Sequence, residues 1–552
     1  MSPAVGQATD PAGAFLISVS GHLVDMQNQP VAEADLTVYL DDQETPASHA
    51  VSQEDGSFVV DLPAMATDKL HFEIVRAHFE PYTYHVEGEI LERLRDGINT
   101  RLPDIVLERR VTVGFVFATL CFAGVLALIA FEVLHNTTAT LLGASAMLMF
   151  SYLGSAVNPD QFYIFDFERA ITYIDFDVIF LVMGMMVVVG VLEGTGVFQW
   201  LAFVAYRVSR GRMTILAVIL MLITAVASAL LDNVTTILLI APISLQIALA
   251  LDVDPLALIV PEVLAANVGG LSTLIGTPTN ILIGSFANLG FNDFLTNLTP
   301  GVVLALIALF VYVRWTYRAE YRKIGRGISP TLYTKLEENA RIKDPVLLRK
   351  SLLVFAGMLL LFVLGDSFHL VPAVTAITGA TVLLIWVEQD VGKMLRAVDW
   401  TTLMFFIALF VTVGAIQEVG LISLFAEALR GLTGGSQLVS LIILIWAPAL
   451  ISLVIDDIPL TAAMLPIVGF LSRTLAPAGS GVLYYGFAVG AAMGGNGSLI
   501  GAAPNLVAAG ILDRAGYRIS YLRFMRVGAP SMVITIAVGM LWLIFRFFIV
   551  PG

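Results

Sequence analysis

Apolar runs long enough to cross a bilayer recur from about residue 111 to residue 549, and a run of roughly 18 to 25 residues spans a hydrocarbon core of roughly 30 Å as a helix. One or two anchors do not account for so many. Inside a bilayer the backbone must satisfy its own hydrogen bonds, so such a chain folds as a polytopic α-helical membrane protein. Composition agrees: 57% of the 552 residues are hydrophobic and 13% charged, with a mean hydropathy of +0.85, far from the soluble average. A formal net charge of −14 argues against a nucleic-acid partner, and there is no basic-aromatic stripe or zinc-type Cys/His spacing. Cys121 is the single cysteine, so no intrachain disulfide can form.

The membrane part is written twice. YIDFDVIFLVMGMMVVVGVLEGTG (173–196) aligns with AVDWTTLMFFIALFVTVGAIQEVG (397–420) at an offset of 224, pairing Asp175 with Asp399, Gly190 with Gly414 and Gly196 with Gly420. LDNVTTILLIAP aligns with IDDIPLTAAMLP at the same offset, pairing Asp232 with Asp456 and Pro242 with Pro466. GGLSTLIGTPTN aligns with GGNGSLIGAAPN at 225, pairing Gly269, Gly270, Gly276 and Asn280 with Gly494, Gly495, Gly501 and Asn505. Three ordered blocks at nearly one offset establish a duplication. The organisation read from this is a small β domain over 1–105, a transmembrane repeat over 111–314, a hydrophilic linker over 315–350 and a second repeat over 351–552.

The distribution of basic residues sets orientation. Ten Lys/Arg from Arg314 to Lys350, then Arg207, Arg210, Arg212, Lys393, Arg396, Arg514, Arg518, Arg523 and Arg526, fall on one side, and Arg169, Arg430, Arg473 and Arg546 on the other. The first side is cytoplasmic. Each half then has three spans, a helical hairpin with the Asp motif, a broken span with the Gly-Gly motif and a last span. That is about five spans plus a re-entrant hairpin per half, and an odd number of crossings inverts the second copy around a midplane site. Counting back puts residue 111 at the outer face of a cell (inner) membrane and the β domain outside. No signal peptide or leading transmembrane helix is written ahead of that domain, and Arg93, Arg95, Arg101, Arg109 and Arg110 precede the first span. The expectation is that a further N-terminal segment belongs ahead of this sequence; the alternative is a cytoplasmic domain and a span count shifted by one.

Three acids interrupt the apolar sequence at Asp232, Asp456 and Asp457. An ionised carboxylate at bilayer depth costs at least ~2.5 kcal/mol and faces a cavity, an ion pathway or a partner. No Lys, Arg or His occurs between Met213 and Pro300 or between Gly431 and Ser472, so a bound cation or a proton is the simplest charge partner. The plainer reading makes these acids helix caps at a hydrated hairpin tip, and one residue can do both. The Gly-Gly blocks should unwind their spans, which membrane depth tolerates only where the backbone is buried in protein or lines a cavity. Freed carbonyls suit a hard cation, and the new helix N-termini suit an anion. Close helix packing through glycine explains the glycines but not Ser272, Thr273, Asn280, Ser498 and Asn505. The G-x-G within GGNGSLIG follows no strand, and neither G-x-S-x-G nor H-E-x-x-H occurs, so dinucleotide binding and hydrolysis are set aside. Glu193 and Glu418 read as solvated caps; Glu262 reads either as a proton relay or as the boundary of the broken span.

These motifs resemble the melanosomal P protein family, within the ion-transporter superfamily that holds bacterial Na+/H+ antiporters, arsenite pumps and citrate or dicarboxylate carriers. The resemblance runs over nearly all of 111–550 and is carried by IDFDVIFLVMGMM, AYRVSRGR, LLDNVTTILLIAPI, ANVGGLSTLIGTPTNILI, GGNGSLIGAAPNLVAAGI and GYRISYLRF. It implies two inverted repeats with re-entrant hairpins, often in a homodimer, and an elevator-like displacement of the core. It also implies sodium and substrate sites at Asp232, Asn233, Thr235 and Thr236, at Gly269, Thr273, Gly276, Thr277 and Asn280, and at Asp456, Thr461, Gly494, Asn496, Ser498, Gly501 and Asn505. Where the family pattern has Asp-Asn-Ile-Pro, this chain has Asp457 in place of the Asn. A carboxylate only accepts hydrogen bonds or takes a proton, and a second acid beside Asp456 should raise one pKa of the pair by mutual repulsion, leaving a group able to exchange protons near neutrality. The Na+ candidates are therefore Asp232, Asn233, Asp456 and Asp457. In the N-terminal part, GHLVDMQNQPVAEADLTVYL followed by EDGSFVVDLP resembles a carboxypeptidase-regulatory or transthyretin-like β-sandwich at Gly21, Asp25, Pro30, Val31, Ala34, Asp55, Gly56 and Phe58.

The expected protein is a secondary active transporter and not an enzyme, with no cofactor beyond Na+ and/or H+ as coupling ions. Its partners are the lipid bilayer and a small ion or anion. Na+/H+ exchange is the first reading; a Na+- or H+-coupled carrier of citrate, a dicarboxylate or arsenite is the alternative.

Overall fold

The computed structural model describes residues 16–26, 30–41, 45–63, 69–131, 133–322, 330–387, 391–475 and 480–550. Lys323 and Arg326, two of the linker cations, lie outside the described residues. By contact the chain forms two units: 1–121 with 146–167 and 415–427, and 122–145 with 168–414 and 428–552.

The first unit contains eight strands: β1 (Leu16–Asp25), β2 (Asp35–Leu40), β3 (Ser48–Val51), β4 (Ser57–Pro63), β5 (Leu70–Val75), β6 (Tyr82–Val86), β7 (Thr100–Arg101) and β8 (Ile105–Leu107). They make one sheet in the order β4-β1-β7, with β8 also on β1, and a second in the order β3-β2-β5-β6. The period-two pattern sends Leu36, Val38 and Leu40 of β2 and Leu70, Phe72 and Ile74 of β5 inward. There they meet Val19, Phe58, Val60 and Leu62 of the other sheet in one core, the Phe58 and Phe72 rings 6.0 Å apart. Two glycines have local reasons. The Phe58 ring occupies the space a Cβ on Gly21 would need, and Gly56 adopts φ +78°, which favours glycine. Polar contacts reach the helical segments of the same unit. Arg76 Nη2 donates to Glu418 Oε1 at 2.7 Å and Arg76 Nε to the Ala32 carbonyl at 2.8 Å. Arg109 lies 3.6 Å from Asp25, and His78 Nε2 is 2.8 Å from the Ile164 carbonyl. Glu418 is thus the anion of a mostly buried ion pair, where a solvated cap was expected.

The helices α1 (Val113–Ala130) and α2 (Asn136–Ser155) divide between the units. In the second unit follow α3 (Phe176–Gly194), α4 (Val197–Ser209), α5 (Met213–Leu230), α6 (Asn233–Ala250), α7 (Leu256–Gly270), α8 (Pro278–Ala287) and α9 (Thr299–Thr316). After the linker come α10 (Pro345–Phe368), α11 (Pro372–Val387), α12 (Trp400–Glu418), α13 (Leu421–Thr433), α14 (Gln437–Ile451), α15 (Asp457–Leu475), α16 (Val482–Gly494), α17 (Ala503–Arg514) and α18 (Tyr521–Ile544), the end of α12 and the start of α13 belonging to the first unit. Among the described residues nine helices are long and apolar enough to cross a membrane, and α7, α11 and α14 are shorter apolar helices. The order of elements is the same in both halves: a span (α3, α12), a 13-residue helix (α4, α13), a hairpin (α5/α6, α14/α15), a broken pair (α7/α8, α16/α17) and a last span (α9, α18). Phe203 of α4 packs on Leu336 and Ala340 in the linker, and Lys343 N donates to the Thr195 carbonyl at 2.9 Å.

Candidate functional site

The two breaks are held open by asparagines. After α7 the chain leaves the helix until Thr277, whose hydroxyl accepts from Asn280 N at 3.1 Å and caps α8. Asn280 Nδ2 reaches back to the carbonyls of Gly270 at 3.1 Å and Thr273 at 2.8 Å. In the second half Asn505 Nδ2 donates to Gly495 O at 2.8 Å and Ser498 O at 2.7 Å, the same bonds at the same spacing. Thr273 Oγ1 donates to Ala229 O and Ser498 Oγ to Leu453 O, again equivalent positions. Glycine is required where these turns close: a Cβ on Gly270 would meet Gly276 O at 2.9 Å, and one on Gly495 would meet Gly501 O at 2.8 Å. Gly269 faces the Ala225 backbone and Gly494 that of Ala449 in the same way. The freed carbonyls expected to await a cation are therefore engaged first by amides of their own segment.

One asparagine joins the halves. Asn267 of α7, 1% exposed, donates to Asn496 Oδ1 at 2.9 Å and Asn505 Oδ1 at 3.1 Å, and accepts from Asn233 Nδ2 at 3.1 Å. Asn496 Nδ2 in turn donates to Leu264 O at 3.2 Å. The residue equivalent to Asn267 in the second half is Ala492. Nothing therefore serves Asn280 as Asn267 serves Asn505, and among the described residues Asn280 Oδ1 is buried without a partner. Only an NH2 group can meet two carbonyl oxygens, so the Asn280 amide orientation is fixed and its oxygen is the open atom.

At the hairpin tips Asp232 caps α6, accepting from Thr235 N at 2.9 Å and from the Thr235 hydroxyl, while Thr236 Oγ1 donates to Asp232 O at 2.8 Å. Asp456 Oδ1 accepts from Ile458 N at 3.1 Å. Asp457 is buried and accepts from Thr279 Oγ1 of α8 at 3.2 Å; its carboxyl lies within hydrogen-bonding reach of that of Asp456. Thr461, one turn on, is fully buried, its hydroxyl without a partner among the described residues.

Asp232, Thr235 and Asp456 open onto one cavity of about 530 Å³. Ile275 and Pro278 from the first break and Ala503 from the second also line it. Among the described residues its remaining charged or titratable walls are His135, Glu193 and Asp399, and no Lys or Arg lines it. The other expected site residues, Asn233, Thr236, Gly269, Thr273, Gly276, Thr277, Asn280, Asp457, Thr461, Gly494, Asn496, Ser498, Gly501 and Asn505, lie outside its lining. Sequence reading missed His135, Asn267, Thr401 and Thr402; Glu193, read as a solvated cap, is exposed and also stands in the cavity wall. Asp399 carried a signal in its pairing with Asp175: both cap helix starts, Asp399 accepting from Thr401 N at 3.0 Å and Asp175 from Val178 N at 3.2 Å.

A polytopic helical chain whose two broken helices and two hairpin tips meet at a cavity carrying acids from both halves is a membrane transporter. Residues 126–484 match the citrate transporter (CitMHS) family, and the chain belongs to that family. It is 38% identical over 435 residues to an uncharacterized transporter of Mycobacterium tuberculosis, covering 79% of this chain and 99% of that one. It is 34% identical over 516 residues to the human P protein, covering 79% of this chain and 60% of the P protein's length. Among solved structures, Neisseria gonorrhoeae MtrF, described as illuminating a class of antimetabolite efflux pumps, superimposes with a TM-score of 0.53 at 11% identity over 79% of this chain and 98% of its own, a likeness of fold. Family and fold make the chain a transporter rather than an enzyme.

Proposed function

We propose that this transporter exchanges Na+ for H+ at a midplane site formed between its two hairpin tips and two broken helices. The observation that carries the reading is the charge of the cavity: Asp232, Asp456, Glu193 and Asp399 line it, and among the described residues no Lys or Arg does. Clefts lined by one sign of charge concentrate the opposite ion. Oxygen ligands of the kind Na+ takes stand at the tips, in Asp232 and Asp456, and behind them, in Asn233, Asp457 and the open Asn280 Oδ1. The two acids at 456 and 457 accept either a cation or a shared proton. With the linker on the cytoplasmic side, the two halves lie inverted and the β domain is extracytoplasmic; the working assembly is a homodimer.

A second reading has its own support. Pro278 and Ala503, the first residues of α8 and α17, line the same cavity, and helix N-termini favour anions. In that reading Na+ bound at the tips supplies the positive charge for citrate, a dicarboxylate or arsenite. Proteoliposomes separate the two. Sodium-driven proton movement with no anion present supports exchange, whereas counterflow of a labelled carboxylate without proton exchange overturns it.

A further inference from the structure

Glu262 sits in the middle of α7, fully buried, in a helix whose every residue from Leu256 to Gly270 is buried. Among the described residues neither of its carboxyl oxygens has a hydrogen-bond partner. Beside it lies the Ser244 hydroxyl of α6, which is also buried and, among the described residues, stands short of bonding geometry. The elements packed on α7 are α5, α6, α9, α16, α17, α18 and the turn Gly495–Gly497. Among the described residues none of them presents a charged side chain to Glu262. Tyr321 is the titratable group that faces it, and the Tyr321 hydroxyl is committed to the Ala257 carbonyl at 2.7 Å. Asp254, Glu320 and Arg523, ahead of the helix, engage one another: Arg523 Nη2 donates to Asp254 Oδ2 at 3.0 Å and Asp254 N to Glu320 Oε2 at 3.3 Å.

A carboxylate so placed would be a bare charge in apolar surroundings, which proteins avoid by neutralising the group. A carboxyl needed only for packing would serve as well as Gln or Leu. A carboxyl with spare oxygens and an idle hydroxyl beside it is equipped to gain and lose a proton. Five residues further along the same helix stands Asn267, which holds both breaks together, about 7.5 Å away at 1.5 Å per residue. A change in charge at Glu262 therefore falls on the helix whose asparagine ties the two halves together.

We propose that Glu262, with Ser244, is a proton-binding site of the transport cycle, separate from the acids at the hairpin tips. It holds a proton while buried and releases it when the α6–α7 contact opens to water. The proposal rests on the exchanger reading for its place in the cycle.

The test uses the full chain in nanodiscs and in proteoliposomes. Infrared difference spectra across a pH titration are expected to contain the carbonyl stretch of a protonated carboxylic acid that Glu262→Gln removes. Sodium-driven proton movement is expected to be lost in Glu262→Gln, and its pH profile to shift in Ser244→Ala, which keeps the carboxyl. An unchanged pH profile in Ser244→Ala together with an unchanged infrared spectrum in Glu262→Gln would overturn the proposal, as would Glu262→Gln moving protons with the parent's profile. If the parent protein moves an anion and no protons, the exchanger reading fails; the infrared band then decides separately whether Glu262 binds a proton.

Discussion

Asn267 on α7 and Asn505 on α17 meet through a 3.1 Å hydrogen bond, so a residue of the first half closes the break in the second. Replacing Asn267 by Ala strands the oxygens of Asn496 and Asn505 and the amide of Asn233. Each buried polar group left unpaired costs ~1–3 kcal/mol, so Asn267→Ala should destabilise the membrane unit by about 3 kcal/mol or more. Thermal unfolding in detergent, followed by tryptophan fluorescence, is expected to show a clear drop in midpoint, and transport is expected to be lost.

The double role of Asp232 is separable. Asn caps a helix about as well as Asp, whereas Ala loses about 1 kcal/mol. Asp232→Asn should unfold like the parent protein yet lose sodium-driven proton movement, while Asp232→Ala should lose both stability and activity. Unimpaired exchange in Asp232→Asn would reduce this residue to a cap.

Inversion of the halves is read out by labelling. In a Cys121→Ser background, the exposed equivalents Arg212→Cys and Ser436→Cys should react with an impermeant thiol reagent from opposite faces of the membrane. Reaction from one face would make the repeats parallel.

Acid should loosen the β-domain unit through His78. The side chain is 4% exposed, and burial holds its pKa below the usual 6.5, with Arg76 and Arg109 lowering it and Glu418 and the Ile164 carbonyl raising it. The folded state therefore binds fewer protons than the unfolded state as pH falls through about 6.5, and stability falls with it. Hydrogen exchange of β1 to β6, corrected for intrinsic pH dependence, should report weaker protection at pH 5 than at pH 7. His78→Asn suits the φ of +67° at this position and should flatten that dependence.

The Arg76–Glu418 pair makes a complementary prediction. Both side chains are largely buried, 13% and 6% exposed. Removing one member of such a pair costs about 3–5 kcal/mol, whereas replacing both by apolar residues is often neutral. Glu418→Gln should raise proteolytic cutting within the β domain, and Arg76→Met with Glu418→Met should reverse most of the effect.

The order of spans, hairpins and breaks was legible because each leaves a local mark: an apolar run, an Asp after a run, paired glycines before a Pro or Asn. The hairpin tips were legible as a cavity wall for the same reason. Asn267 was not, since duplication was the guide and Ala492 stands at its equivalent position. Glu262 was readable either way because α7 is buried on all sides, and a helix without a polar face gives no period from which to judge depth. His135, Thr401 and Thr402 lie at helix starts, where polar residues usually signal an exit to water. Here they line a cavity, and only the packing of distant segments reveals it.

The two asparagine cradles began as copies, and one substitution now distinguishes them. With Asn at 267 and Ala at 492, one amide oxygen is spent on joining the halves and the other is left over. A descendant with Asn at both positions would have gained symmetry and lost the open Asn280 oxygen, buried without a partner among the described residues. In the exchanger proposed above, that asymmetry is what leaves room for cargo.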